Sequence, residues 1–146
     1  MTSTERLRWV INWLNLTTIA GVAVARLGRT RPHPAAAGLY VAPRYRIAFP
    51  PAGAFTLGNV IITRHDADYV CGDPALWRHE TRHTTQYAWL GPLFWPAYAL
   101  GAAYSWVVSG HPGSHNPFEV AAGLADGGYP RRPLRRWLPG RAAARR

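Results

Sequence analysis

Lysine is absent from this chain, cysteine and methionine occur once each, and only seven residues are acidic. The single thiol, Cys71, excludes an internal disulfide and cannot alone supply a cysteine-type zinc site. It reads as a small buried or half-buried residue. With lysine missing, all 17 basic residues are arginine, and the formal net charge is +10. Such an excess attracts phosphate, from anionic lipid or from nucleic acid. Charge of either sign is missing from residues 84 to 118. What the chain does have is apolar surface. Hydrophobic residues make up 48% and aromatic residues 12% of its 146 positions, which excludes a disordered polypeptide and suits one domain with a real core.

The coarse organisation follows from punctuation and charge. Residues 1–27 hold an apolar run, 9–25, flanked by arginines on both sides. As a helix it would be about 25 Å long against a bilayer core of roughly 30 Å, so it is expected as an N-terminal apolar helix and a candidate membrane anchor. Residues 28–46, rich in Pro, Gly and Arg, read as a linker or irregular entry. Strand-type runs follow near 40–41 and 46–49 and, most clearly, over 55–63 (FTLGNVIIT). Asp73 and Pro74 form an N-cap and first-turn pair for a helix running past Tyr87 to the Gly91-Pro92 break. The apolar run 87–108 is long enough to cross a membrane. A second, shorter helix is expected over 117–126, opened by Asn116-Pro117 and closed by Gly127-Gly128. Residues 130–146 carry seven arginines and form a basic tail.

The specific chemistry lies in His79-Glu80-Thr81-Arg82-His83, an H-E-x-x-H pattern. On a helix, residues i and i+4 share a face, so both imidazoles can bind one ion, with a carboxylate beside them to take a proton from attacking water. A third ligand must come from elsewhere. The extended pattern with a third histidine needs Gly at 86 and His at 89, where this chain has Gln86 and Trp89. After residue 83 the only acidic residues are Glu119 and Asp126. Glu119 ends a 35-residue tract without charge, and a metal would account for its burial. Asp126, on the same helical face by spacing, is a candidate acceptor for a ligand histidine. His111 and His115 stand as alternative ligands. Tyr98, Tyr104, Tyr129, His111 and His115 are candidates to stabilise the transition state.

Three segments carry a resemblance: residues 54–61 (AFTLGNVI), 77–86 (WRHETRHTTQ) and 116–122 (NPFEVAA). Together they resemble small zincin domains of the gluzincin kind, including bacterial H-E-x-x-H-x-x-Q domains found in proteins of extracellular contractile injection systems. The resemblance implies an α+β fold over residues 38–129, with short strands, an active-site helix and a glutamate helix. It implies His79, His83 and Glu119 as ligands of one Zn2+, Glu80 as general base, and an edge strand beside the site where a peptide could add.

The functional expectation is a membrane-associated zinc metallopeptidase acting on a peptide or protein substrate. The alternative is a non-catalytic, membrane-associated interaction protein that retains a structural or vestigial metal site. The arginine excess after residue 25 favours a cytoplasmic catalytic part, and the basic tail is suited to anionic lipid. No helix-turn-helix, zinc-finger or RNA-recognition pattern is present, so no nucleic-acid partner is expected.

Overall fold

The computed structural model describes residues 1–135, so most of the expected basic tail, from 136 on, lies outside the described residues. Among the described residues, six α-helices and four short strands build an α+β fold. Two helices open the chain, α1 (Ser3–Leu14) and α2 (Thr17–Leu27). Thr2 and Glu5 cap α1 reciprocally. The apolar run 9–25 is therefore not one helix: Leu16 adopts φ 67, Asn15 accepts from the Thr17 backbone N–H at 3.1 Å, and the two axes bend by 71°. No single helix among the described residues is long and apolar enough to cross a membrane, although this bent pair passes that test together.

Four strands follow: β1 (His33–Pro34), β2 (Tyr40–Ala42), β3 (Ala54–Leu57) and β4 (Val60–Thr63). The stretch 28–46, expected as a linker, thus contributes two strands, whereas 46–49 contributes none. The sheet order is β1-β2-β4-β3, with β2 parallel to β4 and the other pairs antiparallel. The run 55–63 is a hairpin, not one strand. Gly58, at φ +57, turns the chain where a Cβ would lie 2.4 Å from the Thr18 backbone nitrogen, so the turn and α2 meet backbone to backbone.

Both sheet faces are covered, which is why β4 reads as unbroken apolar sequence. Val60 and Ile62 join Leu57, Tyr45, Tyr87 and Phe94 on one face; Ile61 packs with Leu39, Val41 and Val70 on the other. Val70 belongs to α3 (Asp68–Cys71), whose last residue, Cys71, is exposed and not buried as expected. Helix α4 (Pro74–Leu90) starts as expected, with Asp73 Oδ1 accepting from the backbone N–H groups of Ala75 and Leu76. A short turn over Gly91–Leu93 separates it from α5 (Phe94–Ser109), dividing the second apolar run. The last helix, α6 (Pro117–Ala122), stops four residues before Asp126, because Gly123 takes φ 90.

A buried polar cluster ties the N-terminal pair to this body. The Asn12 amide donates to Asn59 Oδ1 and to the Thr84 carbonyl, both at 2.9 Å; the Asn59 amide donates to the Trp9 carbonyl. Asn12 and Asn59 are fully buried, so these bonds fix where α1 crosses α4.

Candidate metal centre

Helix α4 turns His79, Glu80 and His83 to its buried side, and α6 presents Glu119 to them. The two helices are joined by polar contacts at both ends of α6. Arg82 donates to the Ala122 carbonyl at 2.9 Å, and the Gln86 amide nitrogen donates to the Phe118 carbonyl at 2.9 Å. Asn116 caps α6 and packs under α5 at Gly101, where a Cβ would lie 2.5 Å from its Oδ1. Position 101 therefore needs glycine for α5 and α6 to close on one another.

The hydrogen bonds settle the tautomers. His79 Nδ1 lies 3.0 Å from the Gly123 carbonyl, which can only accept, so Nδ1 carries the proton. His83 Nδ1 lies 2.8 Å from Gln86 Oε1, and Gln86 is oriented by its own donation to Phe118; again Nδ1 donates. Both Nε2 atoms are thereby left with lone pairs, and they face each other at 3.1 Å. Glu119 Oε2 lies 3.1 Å from His79 Nε2 and 3.6 Å from His83 Nε2, yet takes no aligned hydrogen bond although it is buried. Its partner oxygen, Oε1, accepts from the Tyr98 hydroxyl. Three electron-pair donors on buried residues, all within 4.8 Å of one another, converge on one point. Such a set is stable only around an electron-pair acceptor or a shared proton. The buried His79–His83–Glu119 group can hold a metal ion.

Without an ion the electrostatics favour a proton there. Burial pulls the His83 pKa down, but the adjacent Glu119 carboxylate and the charge of Glu80 outweigh it, and the value is raised. Burial pushes Glu119 up, but His79 and then His83 pull harder and hold it at about 2. Glu80 sits beside the cluster, buried, with Thr56 of β3 donating to Oε2 at 2.6 Å. The group lies in a cavity of about 390 Å³ whose wall is mostly aromatic and apolar: Phe49, Phe55, Tyr87, Phe94, Trp95 and Tyr98. Tyr129 also lines it, its ring centroid 5.9 Å from that of His79.

The remaining sequence candidates are placed elsewhere. Asp126, expected as an acceptor for a ligand histidine, instead pairs with Arg78 at 3.3 Å and Arg82 at 3.1 Å. Its carboxyl is held below the usual range mainly by the Arg78 hydrogen bond. The early end of α6 takes it off the helical face it was assigned to, and the Gly123 carbonyl serves His79 in its place. Tyr104 is exposed on the outside of α5. His111 Nδ1 accepts from the backbone N–H groups of Gly113 and Ser114, and His115 Nε2 lies 2.8 Å from the Arg132 carbonyl; neither joins the cluster. Four contributors had no role at the site assigned from sequence: Gln86, Thr56, Gly123 and Gly127, the last expected only as a helix stop. For Gln86 a signal existed, since position i+3 from His83 faces it on the helix. Gly127 leaves no such trace; it lies flat against His79, where a Cβ would be 2.4 Å from Cε1 of the ring.

No family model, curated protein or solved structure matches the chain.

Proposed function

We propose that this protein is a zinc-dependent hydrolase of peptide bonds, with a gluzincin-like site. The observation that carries the reading is the convergence of His79 Nε2, His83 Nε2 and a Glu119 Oε2 that has no hydrogen-bond partner, with Glu80 beside them. Two imidazole nitrogens and one carboxylate oxygen are the donors of catalytic zinc sites that keep a fourth position open. A bound zinc ion would supply Lewis acidity, polarising a carbonyl and acidifying water.

The rest of the chemistry belongs to the chain. Glu80, positioned by Thr56, takes the proton from the attacking water and returns it to the amine as the C–N bond breaks. Burial and then the Glu119 charge push the Tyr129 phenol well above its usual pKa, so it stays protonated and can donate to the developing oxyanion. Tyr98 is committed to Glu119 and acts by orienting that ligand. β3 is an end strand of the sheet, next to Glu80, so an extended peptide can pair along it and place apolar side chains in the aromatic cavity.

The test is Glu80→Gln, assayed for metal content and for cleavage of a library of peptides rich in apolar residues. Retained metal with cleavage reduced by roughly two orders of magnitude or more supports the reading. Undiminished cleavage in the variant, or no cleavage by the zinc-loaded parent, sinks it in favour of a non-catalytic metal site.

A further inference from the structure

The outer surface of this protein is apolar where its helices are most exposed. Helix α1 buries Arg8 and Asn12, and α2 buries Thr17, Thr18, Gly21 and Ala25, while Leu14 at the bend is 77% exposed. Helix α5 repeats the inversion. Between the buried Phe94 and Val108 near its ends, Gly101 and Ser105 face inward, as does Ser109 at the last position, and Leu100 and Trp106 face out, at 73% and 57% exposure. The same holds at the α4–α5 turn, where Trp89 is 85% and Leu93 69% exposed. Small and polar residues inside, with large apolar residues outside, is the reverse of an ordinary surface helix.

The corner and turn patches adjoin, and α5 follows directly from the turn. The Asn15 amide donates to the Tyr87 carbonyl at 3.1 Å, and a Cβ on Gly91 would lie 3.6 Å from that of Asn15. The α1–α2 corner and the α4–α5 turn therefore touch. Asn59 bonds to Trp9 on one arm and Thr18 on the other, so the body fills the concave side and Leu14 and Leu16 crown the convex one.

Charge is arranged around this surface in a consistent way. Each of the three helices carries exposed arginine at the end remote from the corner: Arg6 on α1, Arg26 and Arg29 at the end of α2, and Arg135, whose backbone N–H donates to the Val108 carbonyl, at the end of α5. We propose that this corner inserts into one leaflet of an anionic bilayer, with the arginines at headgroup level and no segment crossing. A bend of 71°, set symmetrically, inclines each arm by about 35° to the membrane plane. Arg6 and Arg26 then stand about 7–9 Å above the apex at a rise of 1.5 Å per residue, a depth matching interfacial helices. A second copy of the chain fits less well, because two arginine collars on chains of charge +10 would meet face to face.

Flotation with vesicles of phosphatidylcholine, alone or mixed with phosphatidylglycerol, tests the proposal without metal or substrate. The inserted corner predicts partition into the mixed vesicles, weakened by salt, and at least about tenfold loss in Leu14→Glu/Leu93→Glu. Leu100→Glu, on a separate helix, gives the same direction should the double variant fail to fold by circular dichroism. Arg26→Gln/Arg29→Gln narrows the preference for anionic over neutral vesicles. No partition into either vesicle, partition untouched by the leucine variants, or a stable dimer in solution that Leu14→Glu/Leu93→Glu dissociates would each overturn it. Hydrolysis and insertion can fail separately, since neither assay depends on the other.

Discussion

Gly127→Ala isolates one contact at the centre. Gly127 is not in the left-handed region, so alanine meets no backbone strain there. The added methyl would lie 2.4 Å from Cε1 and 2.7 Å from both ring nitrogens of His79, where ordinary contact begins near 3.4 Å. Ring and methyl must separate by about 1 Å, and His79 is only 2% exposed, with Gly123 holding its other side. Metal ligands tolerate about 0.2 Å of displacement. Changes that disturb the groups orienting a ligand weaken metal binding by roughly 10–100-fold, or about 1.4–2.7 kcal/mol. Zinc titration of the metal-free protein against a chelating indicator reads this directly. We expect a loss within that range, with the circular dichroism spectrum unchanged. An affinity within twofold of the parent would show that His79 is not held by this packing and would refute the reasoning.

Other outcomes follow from the same geometry. Gln86→Leu removes the acceptor of the His83 Nδ1 proton, and zinc affinity is expected to fall roughly 10–100-fold, with partial recovery in Gln86→Glu, which keeps an oxygen there. Asn59→Leu strips partners from the Asn12 amide and the Trp9 carbonyl, and chemical denaturation should show a loss of about 2–4 kcal/mol. The pH dependence of the metal-free protein has a defined sign. The His83 pKa is raised above 6.5, so its contribution is complete below 6.5 and fades as pH climbs through the raised value. Glu119, lowered from 4.5 to about 2, contributes above 4.5 and loses that contribution toward pH 2. The metal-free protein should melt highest between these limits, and zinc, competing with the His83 proton, should add most stability above them. A thermal scan in which zinc stabilises best at acidic pH would contradict this.

Parts of the centre could be read from residues alone because they rest on local rules. Asp73-Pro74 starts α4, the i, i+4 spacing puts His79 and His83 on one face, and Asn116-Pro117 opens α6 at Glu119. Other parts depend on contacts distant in sequence. No Pro or Gly marks the helix break at Leu16; Asn15 accepts locally from Thr17 and donates to the Tyr87 carbonyl, 72 positions away, which holds the bend against α4. Hydropathy counts apolar residues without their direction, so one continuous span and a bent pair with polar residues inward look alike. The hairpin in 55–63 did carry a signal, the Gly58-Asn59 pair, hidden because β4 is buried on both faces and its apolar run has no alternation. Asp126 was misplaced by the helix end: the earlier glycine, Gly123, stops α6.

The central claim is that His79, His83 and Glu119 hold one metal ion. Its most direct test is elemental analysis of the protein after zinc loading and exhaustive dialysis, in a Cys71→Ser background that removes the exposed thiol. The account predicts close to one zinc per chain, lost in both His79→Ala and Glu119→Ala. Zinc that stays in Glu119→Ala, or none in the parent, would contradict it.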